Sequence, residues 1–164
     1  MKMTSKSGIR VTSALGLATA VGLLAGSPAA ALDGKVYPGV QCVGSTYGNT
    51  ALVHGANGSA INISTEMALA VCPIVTDNDA NQAGLNVARI RVNESGDTGN
   101  SSQCALYAVS ENGFFIDGNF NSVTGSGQKT ISIPFSTSPV RARYQLSCWL
   151  SGFSGLTQYE IEEK

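Results

Sequence analysis

Between Ala51 and Glu162 the chain is a succession of short segments in which apolar and polar residues alternate, separated by Gly, Asn, Ser and Asp. A period of two places alternate side chains on opposite faces of a strand, whereas a helix would repeat every three or four residues. The pattern therefore predicts an all-β chain. Expected strands are Ala51–His54, Ser59–Ser64, Met67–Val75, Leu85–Glu94, Ser101–Ser110, Phe114–Phe120, Lys129–Phe135, Tyr144–Leu150 and Thr157–Glu162. Eight or nine short strands at this spacing favour a two-sheet antiparallel sandwich, jelly-roll or immunoglobulin-like, ahead of a closed barrel.

Alternation also assigns faces. In "RARYQLSCWL" (Arg141 to Leu150), Ala142, Tyr144, Leu146, Cys148 and Leu150 share an apolar side, while Arg141, Arg143, Gln145, Ser147 and Trp149 point the other way. In "CALYAVS" (Cys104 to Ser110), Cys104, Leu106 and Ala108 share a side and Tyr107 opposes them. If both apolar sides face the core, Cys104 and Cys148 can meet there and staple the two sheets. Cys42 and Cys72 then tie the N-terminal segment to the third expected strand. Two disulfides are thus expected, each contributing about 3 to 4 kcal/mol by restricting the unfolded chain. A four-residue turn at Ser151–Ser154 further predicts a hairpin with Leu146 opposite Tyr159 and Tyr144 opposite Ile161. Slipping it by one residue would bury Gln158 and Glu160. Glu160 and Glu162 are then expected on a solvated, negatively charged edge.

The first residues carry Lys2, Lys6 and Arg10 with no acid, followed by a small-residue apolar run to Gly26 and the small residues Ala29, Ala30 and Ala31. This is the layout of an export leader over residues 1–31, with a single sandwich domain over 32–164. Gly and Thr dilute the run too far for a membrane anchor, and no second apolar span follows. Without the leader, seven basic residues face eleven acidic ones, a net charge of −4. That balance argues against nucleic acid as a partner. An even cysteine count agrees with a secreted or periplasmic location.

Catalysis has few candidates. The sole histidine, His54, has no acid nearby in sequence, and "GFSGL" (Gly152 to Leu156) lacks the second glycine of a nucleophile elbow. The stretch "TDNDANQAG" places Asp77, Asp79 and Asn81 at alternate positions, where three oxygens can converge on calcium. An EF-hand would need glycine and glutamate where Gln82 and Ala88 stand. An Asx-rich turn is the favoured reading, with calcium the alternative. Trp149 and Tyr107, both turned from the core, are expected to form with Arg143 and Gln145 an aromatic and polar platform for sugar rings. Arg89, Arg91, Arg141 and Arg143 point outward; pairing with Glu94, Glu160 and Glu162 is favoured over contact with anionic glycans.

Four segments, "YPGVQC", "VCPIVTDN", "CALYAVS" and "YQLSCWL", together resemble a family of small exported proteins of Gram-negative bacteria. The resemblance implies export and a four-cysteine framework, and it assigns no catalytic residue. The expectation from sequence is a non-catalytic extracellular binding or structural module, with carbohydrate or a cell-surface protein as partner. A secreted hydrolase or a calcium-stabilised surface protein are the alternatives.

Overall fold

The computed structural model describes residues 34–45, 52–76, 84–95, 101–135 and 142–163. The expected leader and the segment carrying Asp77, Asp79 and Asn81 lie outside the described residues. The strands are β1 (Gly34–Pro38), β2 (Val43–Gly44), β3 (Leu52–His54), β4 (Ala60–Asn62), β5 (Ala68–Pro73), β6 (Leu85–Glu94), β7 (Ser101–Val109), β8 (Phe115–Thr124), β9 (Gly127–Pro134), β10 (Arg143–Leu150) and β11 (Gly155–Glu163). One sheet has the order β3-β4-β11-β6-β9, with β1 continuing along the β4 side of β11. The other has the order β2-β5-β10-β7-β8. They are called here the β11 sheet and the β10 sheet.

Eight strands pair as nested partners around the β7–β8 hairpin: β7 with β8, β6 with β9, β5 with β10 and β4 with β11. The chain runs out through β4 to β7 and returns through β8 to β11, changing sheet at nearly every step. This is jelly-roll winding, and of the two topologies expected it is the one adopted. It overturns the expected β10–β11 hairpin. Leu146 stands opposite Cys72 and Leu106 within one sheet, whereas Tyr159 stands opposite Tyr37 and Ile90 in the other. Leu146 and Tyr159 both point inward as read, but from opposite layers of the core.

The crossing between β10 and β11 is held by polar groups. The Ser151 and Ser154 hydroxyls donate to Glu94 Oε2, at 2.6 and 3.0 Å. Asn62 Nδ2 donates to the Leu150 and Ser151 carbonyls, at 3.1 and 3.0 Å. Gly152 is required here, because a Cβ would sit 2.6 Å from the Thr65 carbonyl oxygen. Glu94 therefore faces inward and, among the described residues, pairs with no arginine, contrary to expectation.

The core joins Ile90, Ile131, Tyr159 and Ile161 of one sheet to Leu106 and Leu146 of the other, all with no exposed surface. Truncating one of them, as in Leu146→Ala, costs about 2 to 5 kcal/mol. Both disulfides form with the expected pairing, Cys42 to Cys72 and Cys104 to Cys148. Their placement differs from expectation: Cys104 and Cys148 are cross-strand neighbours on β7 and β10, so the bond ties strands of one sheet rather than two sheets.

The open side of the sandwich is closed by asparagines of the edge strand β8. Asn119 and Asn121 donate Nδ2–H to the Pro134 and Ser132 carbonyls of β9, each at 2.9 Å. Their Oδ1 atoms accept the backbone N–H of Phe120 and Ser122. Edge groups that would otherwise recruit another strand are thereby occupied. On the opposite side His54 Nε2 donates to the Cys42 carbonyl at 3.0 Å, bridging β3 to the start of β2. Pro73, at the end of β5, lies past the two residues of that strand that β2 covers, so its missing N–H costs no ladder bond to β2.

Candidate functional site

The outward residues of the β10 sheet follow from its register. Across the strands run Leu69, Trp149 and Gln103; then Val71, Ser147, Ala105 and Phe120; then Pro73, Gln145, Tyr107 and Gly118; then Arg143, Val109 and Phe115. Trp149 and Tyr107 thus share one face, as alternation predicts. Between them lies an open cleft of about 380 Å³. Small residues, Ala105 and Gly118, make its floor, and Met67, Trp149, Phe115 and Phe120 its walls.

Gly118 shapes this cleft. A Cβ there would come within 2.8 Å of Tyr107 Cδ1 and 3.1 Å of Phe115 Cε2. Its absence lets the Tyr107 ring lie against the β8 backbone. Phe115 meets that ring edge-on, with centroids 6.2 Å apart and planes at 68°. Phe115 and Phe120 each keep 66% of their surface exposed. Exposed aromatic surface around a concavity is the kind of surface on which ligands dock.

Arg143 and Gln145 do not line the aromatic cleft. They border an adjoining hollow of about 440 Å³ with Val43, Val71, Pro73 and Val109. Gln145 stands directly opposite Tyr107, so the two concavities meet along that pair. Gln145 Nε2 donates to Ser147 Oγ at 3.1 Å, leaving its amide carbonyl directed elsewhere. The four expected platform residues therefore lie on one face, but they divide between two neighbouring depressions.

The outer face of the β11 sheet is chemically different. Arg89 Nη1 reaches Glu162 at 2.7 Å and Glu160 at 3.3 Å across the β6–β11 register. Asn86 Nδ2 donates to the other oxygen of Glu162. The Arg89 hydrogen bond, and then that of Asn86, hold the Glu162 carboxyl below the usual carboxylate range. The same Glu162 hydrogen bond raises Arg89. Glu160 and Glu162 were expected at a sheet edge, yet β11 is central, flanked by β1 and β4 on one side and β6 on the other. Their negative charge is paired across strands instead of guarding an edge.

Phe115, Phe120 and Gly118 were not singled out from sequence. A bulge explains this: Ala108 pairs with Asp117 but Val109 pairs with Phe115, so Ile116 is an extra residue and the period of two breaks. Phe115 and Gly118, three apart, consequently face the same way. Pairing Gly118 and Phe120 against Tyr107 and Ala105 in a tight β7–β8 hairpin would have found the other two. The calcium residues Asp77, Asp79 and Asn81 fall outside the described residues, and no group of three acidic, histidine or cysteine side chains converges among the described ones. No helix among the described residues is long and apolar enough to cross a membrane.

No protein-family model matches the sequence, and no curated protein matches it. Among solved structures, the chain is similar to a family 6 carbohydrate-binding module, at 13% identity and a TM-score of 0.49, covering 79% of this chain and 94% of the module. A xylan-binding module of Roseburia intestinalis gives 12% identity and a TM-score of 0.49, covering 80% and 96%. The C-terminal family 6 module of a marine laminarinase from Zobellia galactanivorans gives 14% identity and a TM-score of 0.48, covering 79% and 99%. Likeness at this level carries no function across; any function must be read from the cleft's own side chains.

Proposed function

We propose that this chain is a non-catalytic carbohydrate-binding module of an exported protein, and that its sugar site is the outer face of the β10 sheet. The observation that supports this reading is the shared cleft of Trp149 and Tyr107 over a floor of Ala105 and Gly118. A pyranose has one face of C–H groups and a rim of hydroxyls. Flat aromatic walls match the first, and the amides of Gln103 and Gln145 match the second. The two disulfides and the N-terminal leader pattern support action outside the cytoplasm.

Hydrolysis would have to centre on the segment carrying Asp77, Asp79 and Asn81, which lies outside the described residues, or on His54. Its Nε2 is held by the Cys42 carbonyl, which ties the ring to a structural task between β2 and β3. Affinity electrophoresis through a panel of soluble polysaccharides tests the reading. Retardation by at least one polysaccharide is expected, abolished by Trp149→Ala and unaffected by His54→Ala. A wild-type chain retarded by none of them would refute it, and polysaccharide cleavage lost on His54→Ala would favour the hydrolase.

A further inference from the structure

The outward residues of the β10 sheet include a single charged side chain among those described, Arg143. From Val43 through Leu69, Val71 and Pro73, across Gln145, Ser147 and Trp149, to Gln103, Tyr107, Gly118 and Phe120, every other position is apolar, small or an uncharged amide or hydroxyl. The nearest acid on β8, Asp117, points between the sheets, where its Oδ1 accepts the Gly118 N–H. Arg143 is exposed, and it forms no ion pair among the described residues. Arg89, on the opposite face, is paired twice. Among the described residues, Arg143 at one end of the groove therefore has no acidic partner.

The geometry points to an acidic glycan as the ligand: a chain whose rings stack in the Trp149 cleft and whose carboxylate or sulfate lies at Arg143. This rests on the carbohydrate reading above and narrows its substrate class. Trp149 and Arg143 stand six positions apart on β10, about 20 Å of extended strand, so the contact requires an oligosaccharide and not a single sugar. Gln145 and Tyr107 occupy the junction between the two depressions, where the chain would pass. The guanidinium offers paired N–H donors that match a carboxylate or sulfate, which a lysine would meet only as a point charge.

The test uses matched pairs in which only the charge changes: uronans against their carboxyl-reduced forms, and sulfated galactans against their desulfated forms, with neutral glucans alongside. For the wild-type chain, at least one acidic member should bind about fivefold more tightly than its neutral counterpart, the modest size reflecting an exposed guanidinium. That preference should fall toward unity in high salt, while binding of the neutral member stays constant. Arg143→Gln should erase the preference, bringing acidic and neutral members to equal affinity; Trp149→Ala should lose binding of both. The carboxylate and sulfate pairs separately show which anion is selected. Equal binding of acidic and neutral partners, unchanged by Arg143→Gln, would overturn the acidic-glycan inference while leaving the carbohydrate reading intact. No binding to any member would overturn both.

Discussion

The two outer faces of this sandwich are built on different terms. On the β11 sheet, Arg89, Glu160, Glu162 and Asn86 bind one another across β6 and β11, so the charges of that cluster are satisfied within the fold. On the β10 sheet the outer face carries an aromatic cleft, the amides of Gln103 and Gln145 and, among the described residues, one cation without an ion pair. The cross-links are distributed the opposite way: both disulfides lie in the β10 sheet, one fastening β7 to β10 and the other holding the start of β2 against β5. A sheet fastened covalently from within does not need its outer side chains for cohesion. Those positions are then available for a ligand.

Removing the covalent fastening should have the largest effect. Replacing Cys104 and Cys148 together with alanine should lower unfolding stability in urea by about 4 kcal/mol, given the 44-residue separation. Cohesion of the β10 sheet independent of that bond would show as a loss below about 1 kcal/mol, and the contrast between the sheets would lapse. Next in size is Arg89→Gln, which leaves Glu162, only 8% exposed, without its cation. A loss of about 1 kcal/mol is expected, because the Arg89 side chain is 40% exposed and its ion pairs are screened by water, with carbohydrate binding unchanged. The sign of its pH dependence follows from Glu162, whose folded carboxyl titrates below its ordinary value of 4.5. The stabilisation is present above that value and is lost as pH falls through the lower folded one. Acid denaturation curves should therefore show the wild-type advantage over Arg89→Gln shrinking in that window; a constant gap down to strong acid would contradict the pairing. Smallest in stability is Gly118→Ala, expected to cost under about 1 kcal/mol because Tyr107 can swing outward. Its effect should appear in binding, as a loss of about threefold when the displaced ring narrows the cleft. Unaltered affinity would remove Tyr107 from the site.

Much of this architecture is legible in the sequence, and the parts that are not share a cause. Alternation fixes which way a side chain points, and it located the nine strands from β3 to β11, the inward cysteines and the outward Trp149 and Tyr107. It does not fix which strand lies alongside. Leu146 and Tyr159 have the facing a hairpin would require, yet they sit in opposite layers, because jelly-roll winding sends each successive strand across the core. The same ambiguity led to the Cys104–Cys148 bond being read as a staple between sheets and Glu162 as an edge residue. β1 and β2 escape notice because "GKVYP" and "VG" are too short to show a period; β1 becomes a strand through the Tyr37–Tyr159 stack, with centroids 4.9 Å apart, and its ladder with β11. At the site, the bulge at Ile116 conceals Phe115.

Trp149 is the sole tryptophan of the chain, so its fluorescence reports directly on the cleft. Titrating the protein with each polysaccharide that retards it, while following Trp149 emission, tests the central claim. A saturable change in emission, with a midpoint that matches the retardation, is the predicted result. Retardation with Trp149 emission unchanged would place the sugar elsewhere on the molecule and contradict the assignment of this face.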